Sequence, residues 1–288
     1  MNDQEELDRV RHLLDLGYED PREVAVCRAA EKERREARCR EAERLLASGR
    51  IGEAFEPLEA LCEEAPGWPA PHRLLAGAYY TAGRYDLARA HLEWLTYHGI
   101  ETPQLALLQG AVELAERRFD AALDQAAYAL CISDGLAGAN NLIGEIHSRR
   151  GQLDAAEEAY RRELEYQPSD PTALAGMAAV ALRRGEYEQA ADRALHALEK
   201  NLRLPAVHYC LGVALARLGR AAEAVTALES AARLDPNFAA PFRRLEKISL
   251  EQFHDPARAE QYRVQGRERI ERRRSERTRK RACQPVLP

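Results

Sequence analysis

Three arginines stand 34 residues apart in the 288-residue sequence and have the chemistry to bind carboxylates. They are Arg149, Arg183 and Arg217, and each comes two residues before a glycine. A guanidinium group presents a planar fork of N–H donors that matches a carboxylate. On helices packed one diameter apart, the three groups would lie about 10 Å from one another. The spacing predicts a ladder that clamps an acidic peptide. An alternative stays open, because a basic side chain in the last turn of a helix also stabilises the helix dipole, by about 0.3 to 1 kcal/mol.

A second concentration of positive charge lies at residues 263–281, which hold ten basic and three acidic residues in a chain of formal net charge −5. A local charge of +7 would attract the phosphates of nucleic acid or of an anionic membrane. No aromatic residue follows Tyr262 to stack on a base, and Glu268 can pair with Arg272 four residues on. We favour a solvated helical extension and expect no nucleic-acid partner; an adaptor acting through this tail remains an alternative.

Motifs of catalysis and metal binding are missing from the sequence. It contains no G-x-x-x-x-G-K-[ST], no G-x-S-x-G and no H-E-x-x-H. The six cysteines include no C-x-x-C pair and no histidine at zinc spacing, so we interpret them as reduced, mostly buried thiols. His91 and His98 lie seven residues apart around Trp94, too far for a shared ion without a third ligand. We predict that the chain is not an enzyme and has neither a metal nor a cofactor.

The elements that must position the arginines are indicated by a 34-residue repeat. A turn residue followed five positions later by alanine recurs six times, as Gly49/Ala54, Gly83/Ala88, Arg117/Ala122, Gly151/Ala156, Gly185/Ala190 and Gly219/Ala224. A residue in the left-handed region ends a helix, and the small alanine lets the next helix cross closely. Prolines at the start of a following helix lose nothing by lacking an N–H, and we place Pro69, Pro103, Pro171 and Pro205 there. Because only 6% of residues are aromatic, the core must be built mainly from alanine and leucine.

This period and its glycine, alanine and proline punctuation resemble the tetratricopeptide repeat over residues 35–238, about 70% of the chain. The resemblance implies an all-α fold, a tetratricopeptide-type right-handed superhelical solenoid of antiparallel helix pairs whose first helices line a concave groove. The predicted organisation has four parts: a helical lead-in at 1–34, six repeat units at 35–238, a degenerate seventh unit with a capping helix at 239–262, and a basic helical or disordered tail at 263–288.

The same resemblance implies which side chains line the groove. The predicted partner-binding residues are Arg73, Tyr80, Leu107, Asn141, Glu145, Arg149, Arg183, Tyr209 and Arg217. The middle of this groove is small and apolar and its far wall is cationic, which suits an extended segment or an amphipathic helix that offers carboxylates. Some members of the family hold a peptide's terminal carboxylate with a Lys and Asn pattern. Here Asn141 is the one matching asparagine and no lysine accompanies it, so this chain departs from that pattern.

A second resemblance concerns the opening segment. Residues Glu5 to Tyr18 look like the segment that closes the catalytic domains of sulfatases and type I phosphodiesterases in the alkaline phosphatase superfamily, some of which continue into tetratricopeptide arrays. That family's metal ligands and nucleophile have no counterpart in this sequence. The resemblance implies an alternative function as a regulatory or targeting appendage of a metal-dependent hydrolase.

The predicted function is a non-catalytic scaffold that binds a peptide or helix of a partner protein in the concave groove. No apolar stretch is long enough to span a bilayer, and the acidic start argues against a signal peptide, so we expect a cytoplasmic protein. The excess of arginine over lysine, 38 against 4, points to a GC-rich bacterial source. Oligomeric state is left open, since the open end of a repeat stack can pair with a second copy.

Overall fold

The structure, a computed structural model, describes residues 21–282, so residues 1–20 of the predicted helical lead-in lie outside them. The described residues form fourteen α-helices and no strand. The first five are α1 (Pro21–Ala47), α2 (Ile51–Glu64), α3 (Pro69–Thr81), α4 (Tyr85–Tyr97) and α5 (Pro103–Ala115). The other nine are α6 (Phe119–Ile132), α7 (Ala139–Arg150), α8 (Leu153–Tyr166), α9 (Pro171–Arg184), α10 (Tyr187–Lys200), α11 (Pro205–Arg217), α12 (Ala221–Leu234), α13 (Ala240–Glu251) and α14 (Pro256–Ala282).

The chain divides into two compact units between Arg118 and Phe119. The first unit contains α1 to α5 and the second contains α6 to α14. Within each unit, consecutive helices are joined by short turns and pack against each other in antiparallel pairs. The predicted fold class, an all-α solenoid of tetratricopeptide type, is confirmed. Odd-numbered helices are the first helices of the repeats, and even-numbered helices are the second.

The six predicted turn residues all adopt the left-handed conformation. The five glycines have φ between 75° and 84°, and Arg117, which takes the glycine's place in the third repeat, has φ 65°. At each turn the N–H of this residue donates to the carbonyl three residues back, and the next N–H donates to the carbonyl five residues back. This pair of bonds is the Schellman motif, which satisfies the last carbonyls of a helix. The sequence prediction for the turns is confirmed, including the departure at Arg117.

The small residues of the repeat lie where helices cross. The six alanines that follow the turns, from Ala54 to Ala224, are completely buried. Gly212 faces the next helix so closely that a Cβ atom there would lie 2.6 Å from Leu228 Cγ and 3.1 Å from the Ala224 carbonyl oxygen. Because the residues at these crossings are small, the backbones of the two helices in a pair can approach each other closely. The predicted role of the small residues is confirmed.

Helix starts also follow the sequence. Pro69, Pro103, Pro171 and Pro205 are the first residues of α3, α5, α9 and α11. Asp255 caps α14, since its carboxylate accepts from the Arg258 N–H at 2.9 Å. This last helix packs on α13 and runs on through the basic segment to Ala282.

The expectation of mostly buried cysteines holds for one of the four whose side chains are described. All four are free thiols, but Cys39 alone is buried, whereas Cys62 and Cys210 are half-buried and Cys131 is exposed. Cys39 belongs to the hydrophobic core of the first unit, and Cys62 packs against that core.

Candidate functional site

The first helices of the second unit lie side by side. α7 contacts α9, α9 contacts α11, and α11 contacts α13. Within the part of this unit that the structure describes, the backbones of the second helices do not approach one another in this way, although side-chain bonds such as that from Arg193 to Glu157 connect them. Helices on the inner side of a curved stack approach each other more closely than those outside, so the first helices form its inner surface. We call the surface formed by α7, α9, α11 and α13 the inner row.

The three arginines of the predicted ladder lie in the last turns of α7, α9 and α11, and all three are exposed. Each contacts a neighbouring group of the chain. Arg149 pairs with Glu145, one turn earlier, at 2.5 Å between Nη2 and Oε1. Arg183 donates to the carbonyl and to the hydroxyl of Ser148, the latter at 3.1 Å. The Arg217 guanidinium lies 5.7 Å from the centre of the Tyr187 ring. Contacts of this kind with exposed groups are weak enough for a ligand carboxylate to replace them.

The Arg183 contact also supports part of the alternative interpretation. Ser148 lies in the last turn of α7, and its carbonyl already accepts from the Gly151 N–H of the turn at 3.0 Å, so Arg183 adds a second, charged donor. Arg183 therefore caps the first helix of the preceding repeat. Arg183 thus has a structural role between two repeats, in addition to any role toward a ligand.

A cleft of about 210 Å³ lies at the C-terminal end of the inner row. Its lining residues are Val213, Ala216, Arg217, Arg244, Lys247, Ile248, Glu251 and Gln252. Three of these side chains are cationic, and Lys247 Nζ lies 3.6 Å from Glu251. Sequence analysis missed Arg244 and Lys247 because the inward positions were assigned only for the six regular repeats. The signal was nonetheless present, since Lys247 continues the register of Glu145, Ala179 and Val213 at 34-residue steps.

Tyr209 lies next to this cleft. Its ring is half-buried and packs at 5.3 Å between centroids against Phe238. Arg244 Nε donates to the Tyr209 hydroxyl at 3.5 Å. A half-buried aromatic ring and a cationic side chain are therefore adjacent at this end of the inner row.

Asn141 has a structural contact that the sequence did not suggest. Its Nδ2 donates at 2.5 Å to the carboxylate of Asp170, which caps the N-terminus of α9. The Asn141 Oδ1 atom is buried and accepts no hydrogen bond from the described residues. Asn141 therefore ties α7 to the start of α9.

The other three predicted residues lie in the first unit. Arg73 is exposed and pairs with Glu43 at 3.5 Å. Tyr80 is half-buried with its ring 6.0 Å from that of Tyr85, and Leu107 is half-buried on α5. The nine predicted residues thus form two groups, three in the first unit and six in the second.

The first unit also contains a cluster that the sequence analysis did not find. Cys62 on α2, His72 on α3 and His91 on α4 place their sulfur and ring nitrogen atoms within 4.8 Å of one another. The Nδ1 atoms of the two histidines are 2.9 Å apart. These positions are ten and nineteen residues apart in the chain, so they form no short metal-binding motif that the sequence could reveal.

Burial controls the ionisation of this cluster. It lowers the pKa of His91 to about 4, with a smaller contribution from His72. Burial also lowers the pKa of His72, assisted by His98. The thiol of Cys62 is affected in the opposite sense, because burial and the nearby Glu59, Cys39 and Glu63 raise its pKa to about 11. Both imidazoles and the thiol are therefore neutral at pH 7.

Comparison with known proteins supports the repeat architecture. Residues 138–241, which run from the start of α7 into α13, match the family described as the TT21 fifth ARM repeats domain. That match covers about a third of the chain. No curated protein sequence matches the chain.

Solved structures resemble a larger part of the chain. The APC/C hetero-tetramer Cut9–Hcn1 matches with a TM-score of 0.72 and 17% identity over 80% of this chain and 45% of that one. An IFIT1 monomeric mutant with m7Gppp-AAAA gives a TM-score of 0.68 and 13% identity, over 81% and 58% of the two chains. PilW, a type IV pilus biogenesis factor, gives 0.60 and 16%, over 69% and 92%.

The chain has a helical repeat fold similar to that of armadillo and tetratricopeptide proteins. It spans less than half of the Cut9–Hcn1 chain that it resembles, and at these identities the likeness concerns the fold alone. The comparisons do not show the expected resemblance to the alkaline phosphatase superfamily. The segment of this chain that suggested it, Glu5 to Tyr18, lies outside the described residues. None of the helices in residues 21–282 is both long and apolar enough to cross a membrane.

Proposed function

We propose that this protein is a non-catalytic scaffold whose inner row binds an acidic peptide or amphipathic helix of a partner protein. One observation carries the proposal: three exposed arginines at equivalent places on α7, α9 and α11 lead to a cleft lined by Arg244 and Lys247. Helices in contact present these groups as a continuous cationic strip. A strip of this kind attracts carboxylates at one-repeat intervals.

The apolar part of the inner row supports the choice of a peptide. Ala175 and Ala179 on α9 are half-buried and small, so they leave room for a side chain of the ligand between the cationic positions. A partner helix with apolar residues on one face and carboxylates at its edge would contact both kinds of surface. Arg149 and Arg217 would then exchange their intramolecular contacts with Glu145 and Tyr187 for contacts with the partner.

The test is affinity capture from a lysate of the source organism, comparing wild type with the triple variant Arg149→Glu, Arg183→Glu, Arg217→Glu. Cross-linking with mass spectrometry would then locate captured peptides on the helices. We expect a partner that is retained by wild type, lost from the variant and cross-linked to α7, α9 or α11. Equal capture by both proteins would overturn the proposal.

A matched control separates the inner row from a general change of charge. Arg162, Arg203 and Arg220 are exposed residues outside the first helices of the second unit, and their replacement by glutamate changes the net charge equally. This control should capture the partner as wild type does. Circular dichroism and thermal melting must show that both variants are folded, because Arg183 also caps α7.

The basic end of α14 supports a second candidate, an adaptor for nucleic acid or an anionic membrane. The positive charge of residues 263–281 lies on a single continuous helix. This candidate predicts binding to polyanions that weakens steeply with salt and disappears when residues 263–288 are deleted. If the truncated chain still binds polyanions and the binding does not depend on salt, the tail is not the binding segment.

The appendage of a metal-dependent hydrolase remains the other alternative, and an in-frame metallohydrolase upstream of Met1 in the coding sequence would establish it. A cytoplasmic, bacterial setting is part of the scaffold proposal. Fractionation of the source cells with an antibody against the chain would test this location.

A further inference from the structure

The cluster in the first unit has a composition that points to a ligand. Among the described residues it is the one group of three or more Cys, His, Asp or Glu side chains whose donor atoms are close enough to share an ion. One thiol and two imidazoles form a donor set of the borderline-soft kind that zinc prefers. The three donors come from consecutive helices, so one ion would link α2, α3 and α4.

The distances between the donors fit a tetrahedral ion after a small adjustment. Metal–nitrogen bonds of about 2.0 to 2.1 Å and metal–sulfur bonds of about 2.3 Å imply donor separations of about 3.3 Å between nitrogens and about 3.6 Å from nitrogen to sulfur. The two Nδ1 atoms are 2.9 Å apart, and all three donor atoms lie within 4.8 Å. Shifts of roughly an ångström or less, within reach of side-chain rotation, therefore complete the geometry.

Neighbouring side chains hold the imidazoles in place. The His72 ring stacks on Trp94 with 3.7 Å between centroids and only 2° between planes. On the other side of the pair, the His91 ring stacks with Tyr79 at 5.6 Å. Rings that are fixed by packing lose little freedom when a metal binds, which is the usual requirement for a preorganised site.

The charges around the cluster favour a cation. Glu59 and Glu63 lie on the same helix as Cys62, and Glu59 accepts a hydrogen bond from the Tyr79 hydroxyl beside the cluster. Carboxylates on this helix add negative charge that favours a divalent cation. Binding would release the thiol proton to solvent, and the resulting thiolate would be neutralised by the ion.

A hydrogen bond between the two histidines would explain why their rings are close, but it would not explain the position of Cys62. Such a bond uses one N–H and one lone pair and does not require sulfur. Cys62 nevertheless reaches the pair from a third helix. A metal ion gives all three donors a common partner.

We propose that Cys62, His72 and His91 bind one divalent transition-metal ion of the zinc class, with water as the fourth ligand. The ion clamps the helices of the first unit and makes its stability dependent on metal. This site is independent of the inner row, which lies in the second unit.

Cobalt(II) is the probe, because its thiolate complexes give a charge-transfer band and its tetrahedral complexes give intense visible bands. Untagged full-length protein, treated with chelator and dialysed, is titrated with cobalt(II) and then with zinc(II). We expect both sets of bands to saturate at one ion per chain and to disappear as zinc displaces cobalt. An absence of the bands, or saturation at a higher ratio, would overturn the proposal.

Two variants test the ligands. Cys62→Ser should abolish the charge-transfer band, and His91→Gln should weaken cobalt binding by roughly tenfold or more. The matched controls are Cys210→Ser, whose half-buried thiol lies in the second unit, and His208→Gln on α11. Both should bind cobalt as wild type does. A charge-transfer band that survives in folded Cys62→Ser would contradict the assignment.

A measurement on the wild-type protein covers the case in which a variant fails to fold. X-ray absorption at the zinc edge of the zinc-loaded chain should show one sulfur and two imidazole nitrogens in the coordination shell, with one further light atom. A shell that contains no sulfur, or two or more sulfurs, would overturn the three-residue site. Zinc should also raise the melting temperature of the stripped wild-type protein and leave that of Cys62→Ser unchanged.

Discussion

The guanidinium of Arg183 on α9 donates hydrogen bonds to both the backbone carbonyl and the hydroxyl of Ser148 on α7. Ser148 lies in the last turn of its helix, and its carbonyl accepts from both the Gly151 N–H of the turn and the Arg183 guanidinium. The arginine position of one repeat thus completes the first helix of the repeat before it. Arg149, at the equivalent place on α7, instead pairs with Glu145 in its own helix.

This difference predicts unequal effects of truncation. Arg183→Ala should lower the free energy of unfolding by about 1 kcal/mol, because the C-terminal carbonyl of α7 loses a charged donor. Arg149→Ala should cost about 0.3 to 0.5 kcal/mol, the value of an exposed pair four residues apart. Urea unfolding followed by circular dichroism measures both. Equal losses would show that the Arg183 contact does not link the repeats.

Arg117 occupies a glycine position in the left-handed region, with φ 65°. Replacing it by glycine should stabilise the protein by about 1 kcal/mol, since an L-residue loses roughly that much in this conformation. Gly151 is the matched control: it has φ 84° and a Cβ there would meet nothing within 4 Å, so Gly151→Ala should destabilise through backbone strain alone. Thermal melting of the two variants should give shifts of opposite sign. A destabilised Arg117→Gly would mean that the arginine side chain contributes more than its backbone costs.

Glu157 on α8 links three arginines, and this network predicts an acid-sensitive term in stability. Its carboxylate binds Arg184 most strongly and also contacts Arg193 at 3.0 Å and Arg161 at 3.5 Å. The hydrogen bond from Arg184, followed by Arg193, lowers the pKa of Glu157 below its ordinary value of 4.5, although burial opposes the shift. A lowered folded pKa stabilises the fold above pH 4.5, and this stabilisation is lost as pH falls through the folded value.

We therefore expect Glu157→Gln to cost about 2 kcal/mol at pH 7 and progressively less below about pH 4.5, where the wild-type carboxylate is also protonated. Urea titrations at a series of pH values measure the difference. Glu223→Gln is the control, because its pair with Arg220 is exposed and its loss should have little effect at any pH. A cost for Glu157→Gln that does not change with pH would show that the ionised carboxylate is not what stabilises the network.

The Tyr160 ring lies against two glycines on neighbouring first helices, Gly144 on α7 and Gly176 on α9. A Cβ at Gly144 would lie 2.6 Å from the ring, and one at Gly176 would overlap it. Gly176→Ala should therefore destabilise by about 1 to 3 kcal/mol, and Tyr160→Leu should suppress much of this loss. Gly77→Ala on α3 meets nothing within 4 Å and should be neutral or stabilising. A double-mutant cycle measured by urea unfolding tests this coupling. If the losses in free energy of unfolding from the two substitutions simply add, the Tyr160 ring does not overlap a side chain at position 176.

Features that depend on one repeat were predictable. The turn at Gly185 and the buried Ala190 five residues later are encoded within a few positions, so their 34-residue recurrence was enough to place them. The start of α9 at Pro171 follows in the same way from the restricted backbone of proline. Even Arg117 was identified as the departing residue, because the register of its neighbours defined the turn.

Contacts between helices were only partly predictable. The register located Arg183, but whether it meets solvent, Glu145 or Ser148 depends on the side-chain rotamer and on the crossing of α7 and α9. Lys247 lay one register step beyond the positions assigned, in a unit too degenerate to map by its turn residue.

The sequence by itself determined the repeat and its helices, because helix capping and helix crossing are local requirements that repeat with the chain. Only the tertiary structure decided that Cys62, His72 and His91 meet, and that the chain divides into two units beside Arg118. The meeting of the cysteine and the two histidines depends on how three helices orient their side chains toward a common point. No spacing along the chain encodes that orientation, since it follows from the packing of Trp94 and Tyr79 around the histidine rings.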